Sequence, residues 1–116
     1  MSTKNFTESP ADRAKANGPI SESEFLALAE RTLRDIEDKA DHAAADIDPQ
    51  RSGNVLTLED EQGDKWVINI QAPMQEIWLA TKEGAYHYRY DPHTSNWLDT
   101  RGGESLFGRL SKWFEG

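Results

Sequence analysis

The chain has no cysteine in its 116 residues. That excludes a disulfide, a thiol nucleophile, a thiolate zinc site and an iron–sulfur cluster held on cysteines of its own. No stretch approaches the ~18 consecutive apolar residues that span a bilayer. The opening MSTKNFTESP lacks the apolar centre of a signal peptide and any Arg-rich amphipathic pattern. These absences lead to the expectation of a soluble cytoplasmic protein. Positive charge is also scarce: 13 Lys and Arg against 21 Asp and Glu leave a net charge of −8.

What is present fits one domain with a modest core, at 36% hydrophobic and 29% charged residues. The acidity is local. Between Ser21 and Glu61 there are twelve acidic and four basic residues, which accounts for the whole −8; the rest of the chain balances at nine of each. Such a localised anionic field attracts cations and basic partner surfaces, and it repels nucleic acid and anionic membranes.

Residues 1–19 are small and polar, carry Pro10, Gly18 and Pro19, and show no hydrophobic period. They are expected to form a flexible N-terminal tail ahead of a single domain over residues 20–116. Ser21 and Ser23 are both candidate helix caps, and Glu24 stands three residues after Ser21, the capping-box spacing. Phe25, Ala29, Leu33, Ile36 and Ala40 then recur at intervals of three or four, one apolar stripe on a helix running to about Ala45. Asp46, Asp48 and Pro49 end it. Beyond Gly53-Asn54 the period changes to two. Short strands are expected at Val55–Leu58, Lys65–Gln71, Ile77–Leu79, Tyr86–Tyr90 and Trp97–Leu98, with turns at Gly63, Pro73, Gly84 and Asp91-Pro92. After Gly102-Gly103, the residues Leu106, Phe107, Leu110, Trp113 and Phe114 outline a second amphipathic helix. Helix, antiparallel meander and helix make an α+β two-layer sandwich, with both helices on one face of the sheet and the other face wet.

On the first helix, Glu30, Arg34, Glu37 and Asp41 form one column and Arg31, Asp35, Asp38 and His42 the next, both away from the apolar stripe. Glu37 and Asp41 are like charges four apart, which costs an isolated helix about 0.2–0.5 kcal/mol. Asp41, Asp46 and Asp48 also lie toward the negative end of the helix dipole. Glu59, Asp60 and Glu61 close the Val55–Leu58 strand and come near this helix if that strand is an edge. Carboxylates projecting into water favour hard cations such as Fe³⁺, Mn²⁺, Ca²⁺ or Mg²⁺, bound weakly and with little selectivity. No EF-hand loop and no Glu-x-x-His pair is present.

On the strands, Asn69, Gln71, Trp78, His87 and Arg89 share the phase opposite to Ile68, Ile70, Ile77, Leu79, Tyr88 and Tyr90. If the latter face the core, Trp78 stands on the wet face among amides and a cation, the composition of an interaction hot spot. The strings Asn69-Ile70-Gln71-Ala72-Pro73 and Ile77-Trp78-Leu79-Ala80 resemble the signature of the frataxin family in its bacterial, CyaY-type form. Gly84-Ala85-Tyr86-His87-Tyr88, Asn96-Trp97 and Gly103-Glu104-Ser105-Leu106 extend the resemblance, which covers about residues 21–115.

That resemblance implies a non-enzymatic protein that binds iron (Fe²⁺ or Fe³⁺) weakly at its surface and regulates iron–sulfur cluster assembly. It implies metal ligands at Glu37, Asp38, Asp41, Asp46 and Asp48, with Glu59 from the neighbouring strand. The chain departs from the bacterial pattern at His42-Ala43-Ala44-Ala45, which makes His42 an added nitrogen ligand. The implied partners are cysteine desulfurase and the scaffold complex, engaged through the acids and through Asn69, Gln71, Trp78 and Arg89. The protein is expected to be a monomer, with iron-dependent oligomers as the variation, and to bind neither nucleic acid nor membrane. Two rival readings are a ferroxidase or iron-storage protein, and an acidic binding module with no metal role. A di-iron oxidase would want buried Glu and Glu-x-x-His motifs on facing helices, and the first helix has none.

Overall fold

A computed structural model describes residues 20–115 as the expected helix, meander and helix. The tail expected over residues 1–19 lies outside the described residues. Helix α1 spans Glu22–Asp41, with Ser21 as its cap. The Ser21 hydroxyl accepts the Glu24 amide at 3.1 Å, and the Glu24 carboxylate accepts the Ser21 amide at 3.1 Å. Two orphan donors of the first turn are thereby satisfied reciprocally. Phe25, Ala29, Leu33, Ile36 and Ala40 are all buried.

The helix stops at Asp41, four residues short of the expected end. The Ala45 amide is instead donated to the Phe114 carbonyl at 2.9 Å, and Ile47 turns into the core. Tertiary bonding thus wins over the helical preference of three alanines.

Six strands follow in a plain antiparallel meander, each paired with its sequence neighbours. They are β1 (Asp48–Ser52), β2 (Val55–Glu59), β3 (Lys65–Gln71), β4 (Glu76–Thr81), β5 (Gly84–Asp91) and β6 (Asn96–Asp99). Strand β1 corrects the expectation that the sheet begins at Val55. Its sequence, DPQRS, contains no β-branched or aromatic residue, and Pro49 is tolerated because β1 is an edge. The Gly53-Asn54 turn, with Gly53 at φ 57°, folds β1 onto β2 and supplies the strand with a partner.

Leu56, Leu58, Ile68, Ile70, Ile77, Leu79, Tyr88 and Trp97 line the covered face of the sheet. Helix α2, Leu106–Phe114, adds Leu106, Leu110 and Phe114. The buried Thr32 hydroxyl donates to the Leu28 carbonyl and accepts from Trp97 Nε1, each at 2.9 Å, tying α1 to β6. Trp66 of β3 and Trp113 of α2 stack with centroids 4.4 Å apart. Among the described residues no helix is long and apolar enough to cross a membrane.

Candidate functional site

Two outer surfaces carry the residues singled out by the sequence, and they differ in construction. The first is the acidic flank of α1 with the β1 edge. Asp38, Asp41, His42, Asp46 and Asp48 are exposed, while Glu37 and Glu59 are half-buried. Strand β1 is the reason for the difference at Glu37. Pro49 and Arg51 occupy its helix-facing side, and Arg51 reaches up to pair with Glu30 and, at 3.6 Å, with Glu37. The Arg51 guanidinium holds the Glu30 carboxyl below the usual carboxylate range. Glu37 is therefore partly neutralised, whereas Asp35, Asp41, Asp46 and Glu59 have no ion-pair partner among the described residues.

The ridge expected from the sequence is divided by the sheet. Asp48 and Glu59 are Cα partners across the β1–β2 ladder. Strand alternation directs both to the open face, opposite Leu58, while Glu37, Asp38, Asp41 and His42 stay on the helix. Glu59 thus stands between a like charge, Asp48, on β1 and an opposite one, Lys65, its Cα partner on β3. At the end of α1, His42 Nδ1 lies 2.8 Å from the Asp38 carbonyl oxygen and 3.7 Å from Asp38 Oδ1. That backbone bond, with the Asp38 and Asp41 charges, raises the His42 pKa. Among the described residues no three Asp, Glu or His converge on a ready-made cation cage. The acids concentrate negative charge in the open, and any metal held there would keep most of its water.

The second surface is the open face of the sheet. Asn69, Trp78 and His87 are consecutive Cα partners across β3, β4 and β5. The Trp78 and His87 rings stack at 4.3 Å and 8°. Trp78 is half-buried by this stack, so it is less free than its strand phase suggests. Gln71 opposes Glu76, and Arg89 opposes Leu98, which is 40% exposed. The side-chain amides of Asn69 and Gln71 have no partner among the described residues.

Sequence reasoning missed Glu76. It lies on the open face yet is only 4% exposed, and it bonds both Trp78 Nε1 and Arg89 Nη2 at 2.8 Å. A signal was available: Glu76 and Trp78 alternate on one strand, His87 and Arg89 on the next, and the Ile77–Tyr88 register brings acid to base.

The two-layer sandwich carries the polar residues singled out by the sequence on two outer surfaces, an acidic flank and an aromatic–amide sheet face. The family model described as Frataxin-like domain matches residues 18–115, and the chain belongs to that family. It is 53% identical over 97 residues to the "Iron-sulfur cluster assembly protein CyaY" of Cupriavidus metallidurans, covering 80% of this chain and 86% of that protein. The proteins of the same name from Ralstonia pickettii and Bordetella pertussis are 52% and 50% identical, covering 82% and 80% of this chain and 86% and 87% of theirs. Among solved structures, the frataxin from Psychromonas ingrahamii superposes with a TM-score of 0.74 at 38% identity, covering 81% of this chain and 88% of that one. Trimeric yeast frataxin, complexed with ferrous iron, matches with a TM-score of 0.52 at 26% identity, covering 79% and 80%.

Proposed function

We propose that this protein is a cytoplasmic, non-enzymatic iron-binding regulator of iron–sulfur cluster assembly. Iron binds weakly at exposed carboxylates, and the protein docks onto the cysteine desulfurase and scaffold complex. The observation that carries this reading is the concentration of unpaired acid where acid is unfavourable. Asp41 sits at the negative end of α1, and Asp48 faces Glu59 across the ladder. Relatives named for iron–sulfur cluster assembly support the process, and a ferrous complex of a trimeric relative supports the ion.

The ligands we assign are Asp38, Asp41, Asp46, Asp48 and Glu59, with Glu37 shared between iron and Arg51. His42 would contribute Nε2, because Nδ1 is turned to the Asp38 carbonyl, the orientation that a second-shell carbonyl gives a ligand imidazole. Asn69, Gln71, Trp78 and Arg89 form the partner surface. A ferroxidase is not favoured, since the described acids do not gather into the paired, enclosed carboxylates of a di-iron site.

The test is titration with Fe²⁺ under anaerobic conditions, followed by NMR broadening, alone and with desulfurase present. Broadening should centre on the end of α1 and on the β1–β2 edge. Broadening spread evenly over all surface carboxylates would remove the iron site.

A further inference from the structure

Glu76 is a carboxylate of the open face that an iron-binding role leaves unused, and it is buried. Although its strand phase points it outward, it is 4% exposed, because the side chains around it close over it. Its Oε1 accepts from Trp78 Nε1 at 2.8 Å and lies 3.5 Å from His87 Nδ1; its Oε2 accepts from Arg89 Nη2 at 2.8 Å. All three neighbours belong to the open face, and none belongs to the apolar core beneath. A charge buried merely to stabilise the fold is poorly suited to that purpose, since apolar groups of similar shape often do as well or better. What an acid does here, and an apolar residue cannot, is fix the edge of one indole and the fork of one guanidinium at once.

We propose that Glu76 is a positioning residue for partner recognition. It locks the Trp78–His87 stack and Arg89 in their docking orientation before the partner arrives. A tryptophan already held in place loses less freedom on binding, and preorganisation of this kind raises affinity without adding a contact. The same carboxylate fixes the Arg89 guanidinium, which stays 65% exposed, beside the aromatic stack. The proposal rests on the open face being the surface read by the cluster-assembly complex.

The experiment compares E76M, E76Q and W78A in the full chain. Binding to the purified cysteine desulfurase–scaffold complex is measured, together with the indole N–H resonance of Trp78, assigned by its loss in W78F. E76M should remain folded, move the Trp78 indole resonance, and bind about tenfold more weakly, the size of one hydrogen bond to a charged group. E76Q keeps an acceptor for the indole but not the charge for Arg89, and should fall between. If E76M does not fold, the isosteric E76Q carries the test, and wild-type affinity in it overturns the proposal. Wild-type binding by the folded Glu76 variants with weak binding by W78A removes the positioning role and leaves the docking face standing. Wild-type binding by W78A as well removes the docking face itself. An indole resonance unmoved in E76M would show that Glu76 does not hold Trp78, and would end the proposal whatever the affinity.

Discussion

The acidic flank and the open sheet face treat charge in opposite ways. On the flank, Asp35, Asp41, Asp46 and Glu59 are left without ion-pair partners among the described residues, and Asp48 is set against Glu59. On the face, the buried Glu76 is matched to Arg89 and hydrogen-bonded to Trp78. Unpaired surface charge acts at long range, is screened by salt, and selects partners only by sign. Paired charge beneath a stacked aromatic acts at contact distance and selects by shape. The flank is thus suited to gathering cations and steering a basic surface, and the face to deciding which surface stays.

The largest effect expected from this division is at Trp78. Replacing it with alanine removes the stack on His87 and uncovers Glu76, so affinity for the assembly complex should fall by about 2 kcal/mol or more, the size of a hot-spot anchor. Stability should fall by only about 1–2 kcal/mol, between a surface change and the ~3–5 kcal/mol of a buried Trp. Isothermal titration and thermal melting of one preparation measure both. A melted variant would make Trp78 core and dissolve the contrast with the flank.

Salt separates the two surfaces next. Docking of the wild type should weaken steeply above roughly 0.15 M salt, where the Debye length is about 8 Å. That slope should be shallower in D38N/D41N and unchanged in W78A, because Trp78 itself carries no charge. A slope that follows Trp78 instead would reverse the assignment of roles.

Within the flank, the acids should not behave alike. Neutralising Glu37, Asp38 and Asp41 together should weaken iron binding, measured by titration. Their effects on stability should diverge. D41N relieves a like-charge pair and an unfavourable dipole contact, and should stabilise by about 0.2–0.5 kcal/mol. E37Q weakens the pairing of Arg51 and should be neutral or destabilising in the same melting series. Equal stabilisation by both would mean that Arg51 does not pair with Glu37 in solution.

Much of this architecture was legible in the residues. The Phe25–Ala40 stripe, the Ser21–Glu24 box and the two-residue alternation of β3 and β5 each have a single physical reading, and the structure follows them. Strand β1 was not legible, because DPQRS pairs by virtue of the Gly53-Asn54 turn and its neighbour rather than by any propensity of its own. Its absence from the sequence reading hid two further facts. Arg51 reaches under α1 to claim Glu37, and Asp48 belongs to a ladder rather than to a helix end. Glu76 was hidden for a related reason: whether an outward-phased acid is solvated or buried depends on which side chains of the neighbouring strand close over it.

The smallest expected effect concerns His42, at the seam between helix and edge. Its Nδ1–H on the Asp38 carbonyl, helped by the Asp38 and Asp41 charges, raises its pKa in the folded state. Protonation is therefore tighter in the folded chain than in the unfolded one. The resulting stabilisation is present in full below the unfolded value of about 6.5, and it is lost as pH rises through the higher folded value. A cation at this point also complements the helix dipole, which acts in the same direction. The melting temperature of the metal-free wild type should then exceed that of H42A most clearly near pH 6, with the gap narrowing toward pH 8. Substitutions on the sheet face, W78A among them, should leave that narrowing intact, since His42 is bonded within the end of α1 alone. A gap constant across this range would mean that His42 titrates as it does in an unfolded peptide and that its bond to Asp38 does not persist in solution.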